Sequence, residues 1–567
     1  MFPQTLDPIG GSLALSALLA ATPLVLLFVL LGIFRFKAYR ASLIGLAASV
    51  LLAVVGWGMP VGQALSATAE GAFYGAFPIL WILVNALWIY RLSVVTGWFD
   101  VLGDKIRAIS DDQRVLAILI AFCFGALLES LAGFGAPVAI SAAMLMAAGM
   151  KPLKAATVSL LANTAPVAFG AMGTPVITLA GVTDIDLHLL SQMTGRQTPF
   201  IALVVPLILV FMVDGRRGVR QTWPVALVAG ATFGLAQFVT ANYLTVEITD
   251  IIAAIATVVV VLAMVRIWKP ANPLTPAPAD SASDGIDTDG AGGTEGGTPA
   301  GPAGPTGGSG VAAPEKTTPA RTGSTWNAVA PYAIIIAIFS LSQIPAVKAW
   351  LTEYGSVSFG WPGLDIVNAS GDEVAATTFK LDHLKATGTL LLLSGLITMA
   401  AYRISPAKAV KAYKDTLVQL KFTIVTVLAV LALAFVMNLS GQTASLGFAL
   451  ASTGGLFVLL SPVIGWIGVA ITGSDTSSNS LFGLLQVTAA NQTGLSPVLM
   501  AATNSSAGVM GKMLSPQNLA VAAAAVGMAG QEGEIFRRLI WWSLGLLALF
   551  TLLVVLQASV LSWMVPA

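Results

Sequence analysis

Long apolar runs separated by short polar segments recur along this chain. A membrane-spanning helix needs roughly 20 apolar residues, and most of these runs approach that length. The pattern therefore predicts an all-α integral membrane protein with about 12 transmembrane helices. The predicted spans are Leu13–Phe34, Ala41–Trp57, Ala72–Tyr90, Lys154–Gly181, Pro199–Val213, Trp223–Tyr243, Ile248–Val265, Trp326–Pro345, Ala386–Tyr402, Phe422–Leu439, Pro497–Gly527 and Leu539–Trp563.

Two further apolar stretches are interrupted near their centres by polar and glycine-rich residues. They are Val115–Met146, interrupted at Glu129–Pro137, and Val463–Ala490, interrupted at Gly473–Ser480. A chain that leaves the helical conformation at membrane depth exposes backbone groups that lipid cannot satisfy, so these segments must be enclosed by protein. We therefore expect two re-entrant hairpins, each with its tip at the interruption.

Composition supports the membrane assignment and sets the orientation. Hydrophobic residues make up 56% of the chain and charged residues only 10%, whereas soluble proteins carry about 25% charged residues. Most of the 28 Lys and Arg residues fall in connections on one side of the predicted spans. The positive-inside rule places that side in the cytoplasm and the N-terminus outside, as in a multi-pass protein of the bacterial inner (plasma) membrane.

Charge and cysteine content exclude several partners. A net charge of +1 gives no reason to expect nucleic-acid binding. Cys123 is the only cysteine, so the chain can form neither an intrachain disulfide nor a cysteine-based metal cluster. We expect no metal ion and no cofactor.

The segment 269–325 differs in composition from the rest of the chain. It has no aromatic residue and is rich in Gly, Pro, Ala, Thr and Asp. Such a segment cannot bury enough apolar surface to fold, so we predict a disordered Gly/Pro-rich cytoplasmic linker.

The two halves of the chain share an internal repeat. Asn163–Pro175 and Asn504–Pro516 carry Asn, Gly, Met, Thr or Ser, and Pro at the same spacing. The predicted spans then pair between residues 12–213 and 326–563, and paired spans cross the membrane in opposite directions. Such inverted-topology repeats are typical of secondary transporters. The first hairpin would enter from the cytoplasm and the second from outside, and residues 214–268 would form two bridging helices.

The hairpin tips and the two interrupted helices contain the predicted substrate site. Half-helix ends expose backbone N–H groups that attract anions, and nearby hydroxyl and amide groups can bind a carboxylate with an adjacent hydroxyl. Small residues also serve simply to pack membrane helices, but four such clusters at repeat-related positions favour a binding site. The candidates are Gly133, Asn163, Thr164, Thr174, Ser474, Thr476, Ser477, Ser478, Asn479, Asn504, Ser505, Lys512, Ser515 and Gln517.

Three ionisable residues lie centrally in the predicted membrane region. Such residues cost at least ~2.5–3.5 kcal/mol at mid-bilayer and are usually functional. Glu129 and Asp475 occupy matching places at the two tips, and burial disfavours the charged carboxylate, so either can bind and release a proton. Asp475 is the preferred proton carrier because it is nearer to the polar residues of its motif. Lys512 could bind the substrate carboxylate or form a structural pair with Asp475, and both interpretations stay open.

Four blocks of the sequence resemble the signature regions of the lactate permease family. They are Gly125–Ile140, Asn163–Val176, Gly473–Gln486 and Gly508–Ala522. The resemblance implies symport of L-lactate with a proton, with D-lactate and glycolate as further substrates. It departs from the family pattern at Ser130-Leu131, where Gly-Ala is more common, which could alter pocket size or substrate preference.

The chain is more distantly similar to the ion-transporter superfamily, which implies an elevator or rocking mechanism by analogy. A sodium-coupled dicarboxylate symporter of that superfamily is the alternative function, but it should need a second central cation besides Lys512. An intramembrane enzyme lacks a suitable His or Cys cluster, and a passive channel would not need paired broken helices. Whether the protein forms a homodimer stays open.

Overall fold

The computed structural model describes residues 1–107, 109–133, 135–275, 325–368, 371, 374 and 377–566. Helices dominate this part of the chain. In the first half they are α1 Leu13–Ala20, α2 Thr22–Phe28, α3 Ala38–Val55, α4 Val61–Tyr74, α5 Trp81–Val95, α6 Trp98–Arg107, α7 Gln113–Leu116, α8 Gly125–Ala132, α9 Ala136–Ala147, α10 Pro152–Ala162, α11 Gly170–Thr183, α12 Leu187–Tyr243 and α13 Thr249–Ile267.

The second half is also mainly helical. Its helices are α14 Thr325–Ser342, α15 Pro345–Tyr354, α16 Thr387–Ala401, α17 Pro406–Ser440, α18 Gln442–Ala451, α19 Phe457–Thr472, α20 Asp475–Thr493, α21 Pro497–Lys512, α22 Pro516–Ala525 and α23 Glu532–Gln557. Stretches of π-helix continue or join helices at Val29–Ile33, Gly75–Leu80 and Ala117–Phe124, and short 3₁₀ turns lie at Val167–Phe169, Val246–Ile248, Gly454–Leu456 and Ser562–Met564.

Four short strands form the only two sheets in the described residues. β1 (Phe2–Pro3) pairs with β3 (Ile366–Val367) in parallel, and β2 (Val357–Gly360) pairs with β4 (Thr378–Leu381) in antiparallel. The first pairing fixes the N-terminus to the segment between α15 and α16, where the Met1 amine also lies 2.8 Å from Asp365.

The helices confirm the predicted all-α membrane fold. Among the described residues, nine helical segments are long and apolar enough to cross a membrane, or eleven if two bent pairs each count as one span. The prediction was about 12. The observed number of spans is lower than the predicted number for three reasons. Two predicted spans lie in the single helix Leu187–Tyr243, and Thr387–Ala401 has only 15 residues. The helices α21 and α22 are also not among the candidate spans.

The long helix α12 is a pair of antiparallel helices. Its backbone leaves the helical conformation at Asp214 and Gly215, where Gly215 has a φ of +60°. Ser191 Oγ donates to the Ala241 carbonyl oxygen at the far ends of the two arms, which brings them side by side. The two predicted spans on either side of residue 214 therefore exist as separate arms joined by a tight turn.

Both interrupted segments fold back on themselves. α19 and α20 join at Gly473, which has a φ of +75°, and Gln486 Nε2 donates to the Ser461 carbonyl oxygen 3.0 Å away across the pair. α8 and α9 join at Gly133 and Gly135, and Gly125 faces Ser141 across that pair. Each segment is thus an antiparallel helical hairpin with its turn at the glycines.

The two helices of the internal repeat are also broken. α10 and the segment Val167–Thr183 are bent by 62° relative to each other. In the second half, α21 ends at Lys512 and α22 begins at Pro516, where Ser515 Oγ accepts the Asn518 backbone N–H at 3.3 Å. Pro516 is tolerated there because the first helical position needs no backbone N–H donor.

The start of the predicted linker is held against the helices. Arg114 is fully buried and donates to Asp112, to Asp214 3.0 Å away and to the Asn272 carbonyl oxygen 2.7 Å away. The Leu274 backbone N–H donates to Asp112 at 3.3 Å. Residues 272 and 274, at the start of the predicted linker, thus contact the helices, because a buried guanidinium needs acceptors and the Asn272 carbonyl oxygen supplies one of them. Residues 276–324 lie outside the described residues.

Candidate substrate-binding and coupling site

The two hairpins and the two broken helices pack together both within each half of the chain and between the halves. α9 of the first hairpin packs against α22, and α20 of the second hairpin packs against α11. The contact is close: a methyl group added at Gly135 would lie 3.3 Å from a Val521 methyl carbon, and one at Gly483 would lie 2.7 Å from Leu179. Each hairpin therefore touches the broken helix of the opposite half.

Glu129 lies in the second half of α8 and is almost completely buried. Its Oε1 is 2.5 Å from Lys512 Nζ, and its Oε2 accepts the Asn163 Nδ2 amide at 2.9 Å. Gly170 leaves room for this carboxylate, since a methyl group there would lie 2.9 Å from Oε1. The pair joins residues 383 positions apart and links the two halves of the chain.

Asp475 is the first residue of α20 and is equally buried. Its Oδ2 accepts the Ser505 hydroxyl at 2.6 Å, whereas Oδ1 has no hydrogen-bond partner among the described residues. Gly508 lies against the Asp475 carboxyl group, just as Gly170 lies against that of Glu129. A methyl group added at Gly508 would lie 2.7 Å from Asp475 Oδ1. Each of the two carboxyl groups is thus buried beside a glycine. Among the described residues, only Glu129 of the two has a cation within 4.0 Å.

The predicted partner of Lys512 needs a correction. A structural pair between Asp475 and Lys512 was one of the two open interpretations, but Lys512 contacts Glu129 instead. The reason is geometric: α21 ends in Lys512, whose side chain extends toward the tip of the first hairpin, whereas Asp475 lies beside Ser505 and Gly508, one to two turns earlier in the same helix. Proximity in sequence favoured the wrong carboxylate.

Amide side chains connect the second hairpin to both broken helices. Asn479 Nδ2 donates to the Pro175 carbonyl oxygen at 3.0 Å, which satisfies a backbone group in the first broken helix. Asn504 Nδ2 donates to Asn479 Oδ1 at 2.9 Å, and Gln486 Nε2 donates to Asn504 Oδ1 at 3.2 Å. Asn163 and Asn504 are both buried, so neither amide faces lipid.

The remaining candidates lie on the same breaks. Thr174 donates to the Ala171 carbonyl, Ser474 caps α20, and the Thr164 hydroxyl is buried without a partner among the described residues. Gly133, with a φ of +32°, leaves its open side toward Ala171 and Glu129. Five polar candidates remain on the second hairpin and the second broken helix. Thr476 and Gln517 are half-buried, and Ser477, Ser478 and Ser515 are buried.

A cavity of about 880 Å³ lies beside this cluster and is not lined by any of the predicted site residues. Its walls include α4, α11 and α20, so it borders the helices that carry Thr174 and Asn479. Glu70 and Glu247 line it, and sequence reasoning missed both. Glu70 lies just before the predicted span that starts at Ala72, so a boundary error of two residues removed it from the central candidates.

A second omission is Asp250, which is fully buried in the first turn of α13. It falls within the predicted span Ile248–Val265, where an acidic residue is itself a signal of function. Its position near the predicted end of that span made it resemble an ordinary interfacial residue.

The fold and the buried polar cluster together define a multi-pass membrane transporter. The sequence model for L-lactate permease matches residues 16–561. The chain therefore belongs to the L-lactate permease family, as the resemblance of its four signature blocks predicted.

Curated relatives match over nearly the whole length. The L-lactate permease of Bacillus subtilis is 41% identical, with 99% of both chains covered. Glycolate permease GlcA of Escherichia coli is 40% identical, again with 99% of both covered, and the L-lactate permease of the same organism is 38% identical over the full length of both. Among solved structures, the YdaH transporter of Alcanivorax borkumensis is similar with a TM-score of 0.40, 15% identity and 86% of both chains covered.

The Glu129–Lys512 pair generates a test of stability. Replacing either residue alone, as Glu129→Gln or Lys512→Met, leaves the other charge buried and unpaired, which costs about 3–5 kcal/mol. We expect each single variant to lower the thermal unfolding midpoint in detergent and the double variant to recover much of that loss. The exposed pair Arg91–Asp415, at 3.6 Å, is the matched control and should contribute about 0–1 kcal/mol. Additive losses at Glu129 and Lys512 would show that the pair is not a coupled unit.

Proposed function

We propose that this protein is a proton-coupled symporter of L-lactate that also accepts D-lactate and glycolate. The names of its full-length relatives support this substrate class, since they include L-lactate permeases and a glycolate permease. The single structural observation that carries the proposal is the buried Lys512, held by one carboxylate at the meeting point of four helix breaks.

The proposed substrate exchange starts at Lys512. A monocarboxylate that enters the cluster replaces Glu129 as the counter-ion of Lys512, so the binding site becomes available only when the internal ion pair opens. The hydroxyl next to the carboxylate is bound by Ser477, Ser478 or Asn479 on α20. The Ser477 hydroxyl donates no hydrogen bond to another described residue, which leaves it available for this contact.

A single available cation argues against a dicarboxylate. Within the described residues, the buried basic side chains are Arg114 and Lys512. Arg114 is already occupied by Asp112 and Asp214. A second substrate carboxylate would therefore lack a buried counter-ion, which would make its transfer from water very unfavourable.

Proton coupling is assigned to Asp475 and Glu129, with Asp475 as the preferred proton carrier. Asp475 is buried, and no basic side chain lies within 4.0 Å of it among the described residues. An unpaired carboxylate in such a place is costly, and binding a proton removes the charge. Glu129 loses its counter-ion whenever the substrate occupies Lys512, which makes it the second residue of the assignment.

The proposal includes the arrangement of two inverted-topology repeats, residues 12–213 and 326–563, joined by the helices of 214–268 and by the linker. The crossed packing of α9 on α22 and α20 on α11 supports it, as does the glycine beside each carboxyl group. The proposed site residues all come from one chain, so a homodimer would not be needed to complete the site.

The hydroxyl contact predicts the substrate preference. In proteoliposomes, unlabelled glycolate should compete with labelled L-lactate for uptake, whereas acetate should compete about tenfold less well, because it leaves a buried polar partner unpaired. Succinate should compete poorly for want of a second cation. Acetate as effective as glycolate would remove the argument for hydroxyl recognition, and strong succinate counterflow would favour the dicarboxylate alternative.

The coupling assignment is tested with Asp475→Asn, which is permanently neutral. We expect this variant to lose lactate accumulation driven by an inward proton gradient and to retain lactate–lactate counterflow, since exchange does not require the empty carrier to return. Asp415→Asn, at an exposed residue, is the matched control and should keep both activities. Gradient-driven accumulation retained in Asp475→Asn would exclude Asp475 as the proton carrier, and loss of both activities would indicate a structural role.

A further inference from the structure

A second cavity, of about 580 Å³, lies at one end of the bridging helices of residues 214–268. Its walls come from the second arm of α12 and from the residues that follow α13, and they include Arg216, Arg217, Arg220, Trp268 and Lys269. Of the seven described residues that line it, four are basic and none is acidic. This basic cavity is therefore suited to an anion.

Little of the positive charge of the basic cavity is neutralised within the protein. Among the described residues, the one acid within 4.0 Å of its four basic side chains is Asp214, which lies 3.9 Å from Arg217 Nε. Asp214 is already paired with the fully buried Arg114 at 3.0 Å. The other three basic side chains are exposed. An anion that enters the cavity would therefore meet cations that are not paired with an acid of the described chain.

The basic cavity lies where the two bridging helices reach the membrane surface. The second arm of α12 and α13 are antiparallel neighbours, since Gln237 Nε2 donates to Asp250 Oδ1 2.8 Å away near their connected ends. The cavity is at their other end, beside the tight turn at Asp214 and Gly215 and directly after Ile267, the last residue of α13. The positive-inside rule predicts that this end is cytoplasmic.

One face of α12 continues from the basic cavity into the membrane. Arg216, Arg220, Trp223 and Leu227 are spaced by four, three and four residues, which places them on the same side of a helix. All four are exposed, and Leu235, about two turns further along, is 65% exposed. The face thus changes from basic to apolar, with a Trp at the boundary, as is typical of a membrane interface. The surface next to the cavity is therefore one that contacts acyl chains.

We propose that the basic cavity binds the headgroup of an anionic phospholipid, whose acyl chains lie against the apolar face of α12. A phosphodiester accepts charge-assisted hydrogen bonds from Arg and Lys. The excess of positive charge favours a lipid with a net negative charge over a zwitterionic one. A soluble phosphate would use the same cations but not the apolar face beside them, so the continuous face favours the lipid. The proposal depends neither on the transported substrate nor on proton coupling.

A lipid in the basic cavity would connect separate parts of the chain. Gln221, which lines the cavity, accepts a hydrogen bond from Arg114 Nη1 at 2.8 Å, and Arg114 lies in α7 at the start of the first hairpin. Arg114 also donates to the carbonyl oxygen of Asn272, next to the cavity wall. A headgroup that contacts Arg220 and Lys269 joins α12 to the segment after α13. Because it binds the folded protein, it should stabilise the fold.

Lipid titration of the purified full-length protein in detergent tests the site. Phosphatidylglycerol should raise the thermal unfolding midpoint until the site is saturated, whereas phosphatidylcholine, which has no net charge, should have little effect. The triple variant Arg216→Gln/Arg220→Gln/Lys269→Gln should weaken phosphatidylglycerol binding at least tenfold, because each cation near a membrane surface contributes about fivefold to the affinity for anionic lipid. An equal response to both lipids, or unchanged binding in the triple variant, would overturn the proposal.

The triple variant Lys408→Gln/Lys411→Gln/Lys414→Gln is the matched control. It removes three exposed charges from α17, on the side of the membrane that is also predicted to be cytoplasmic, and should leave phosphatidylglycerol binding unchanged. Equal weakening in this control would mean that general surface charge attracts the lipid, and the site would be refuted. The variant Arg216→Lys/Arg220→Lys keeps both charges and should keep most of the binding. A loss as large as in the glutamine variant would show that the two arginines do not act as cations, which would also refute the site.

Soluble anions distinguish a lipid site from a phosphate site. Native mass spectrometry should detect phosphatidylglycerol retained by the wild-type protein and lost from the variant Arg216→Gln/Arg220→Gln/Lys269→Gln. Inorganic phosphate and glycerol phosphate, which have no acyl chains, should raise the unfolding midpoint much less than phosphatidylglycerol at the same concentration. If either soluble anion stabilises the protein as strongly, the cavity is a site for free phosphate and the lipid assignment is wrong.

Discussion

The ion pair between Lys512 and Glu129 is the interaction on which the arrangement of the central polar cluster depends. It joins Lys512, the last residue of α21, to Glu129 in α8, and both side chains are almost completely buried. A buried pair of this kind contributes little net stability, because desolvation offsets most of the attraction, but separating it is costly. The pair therefore joins the first hairpin to the second broken helix. In the proposed function, its cation is the one that a substrate carboxylate takes over from Glu129.

The helix breaks make this arrangement attainable. A continuous helix would keep its backbone groups paired and leave no polar surface at depth, whereas the chain turns at Gly473, and at Gly133 and Gly135, all of which have positive φ. Glycines beside the two carboxyl groups, Gly170 and Gly508, provide the space that a side chain would fill. Each carboxyl group accepts a hydrogen bond from a neutral side chain, Asn163 at Glu129 and Ser505 at Asp475, but only Glu129 also has a cation within 4.0 Å among the described residues. The proposed roles of counter-ion and proton carrier follow from this difference.

Sequence patterns predicted much of this fold, for clear reasons. Apolar run length reports the spans, and Gly, Pro and Ser runs report the breaks, because both are local properties of the chain. Pairing between distant elements is not local, so Lys512 could not be assigned to Glu129 rather than Asp475 from sequence. The same limit hid the anchoring of Asn272 and Leu274 by Arg114 and Asp112 within a segment whose composition indicates disorder. Asp250 and Glu70 were missed because boundary errors of a few residues decide whether an acid counts as buried.

The central claim is that the substrate carboxylate takes the place of Glu129 at Lys512. A cryo-electron microscopy structure with L-lactate bound tests it most directly. The account predicts density for lactate with its carboxylate against Lys512 Nζ, its hydroxyl against α20, and Glu129 moved out of contact with the ammonium group. Lactate bound elsewhere, with the Lys512–Glu129 pair still closed, would contradict it.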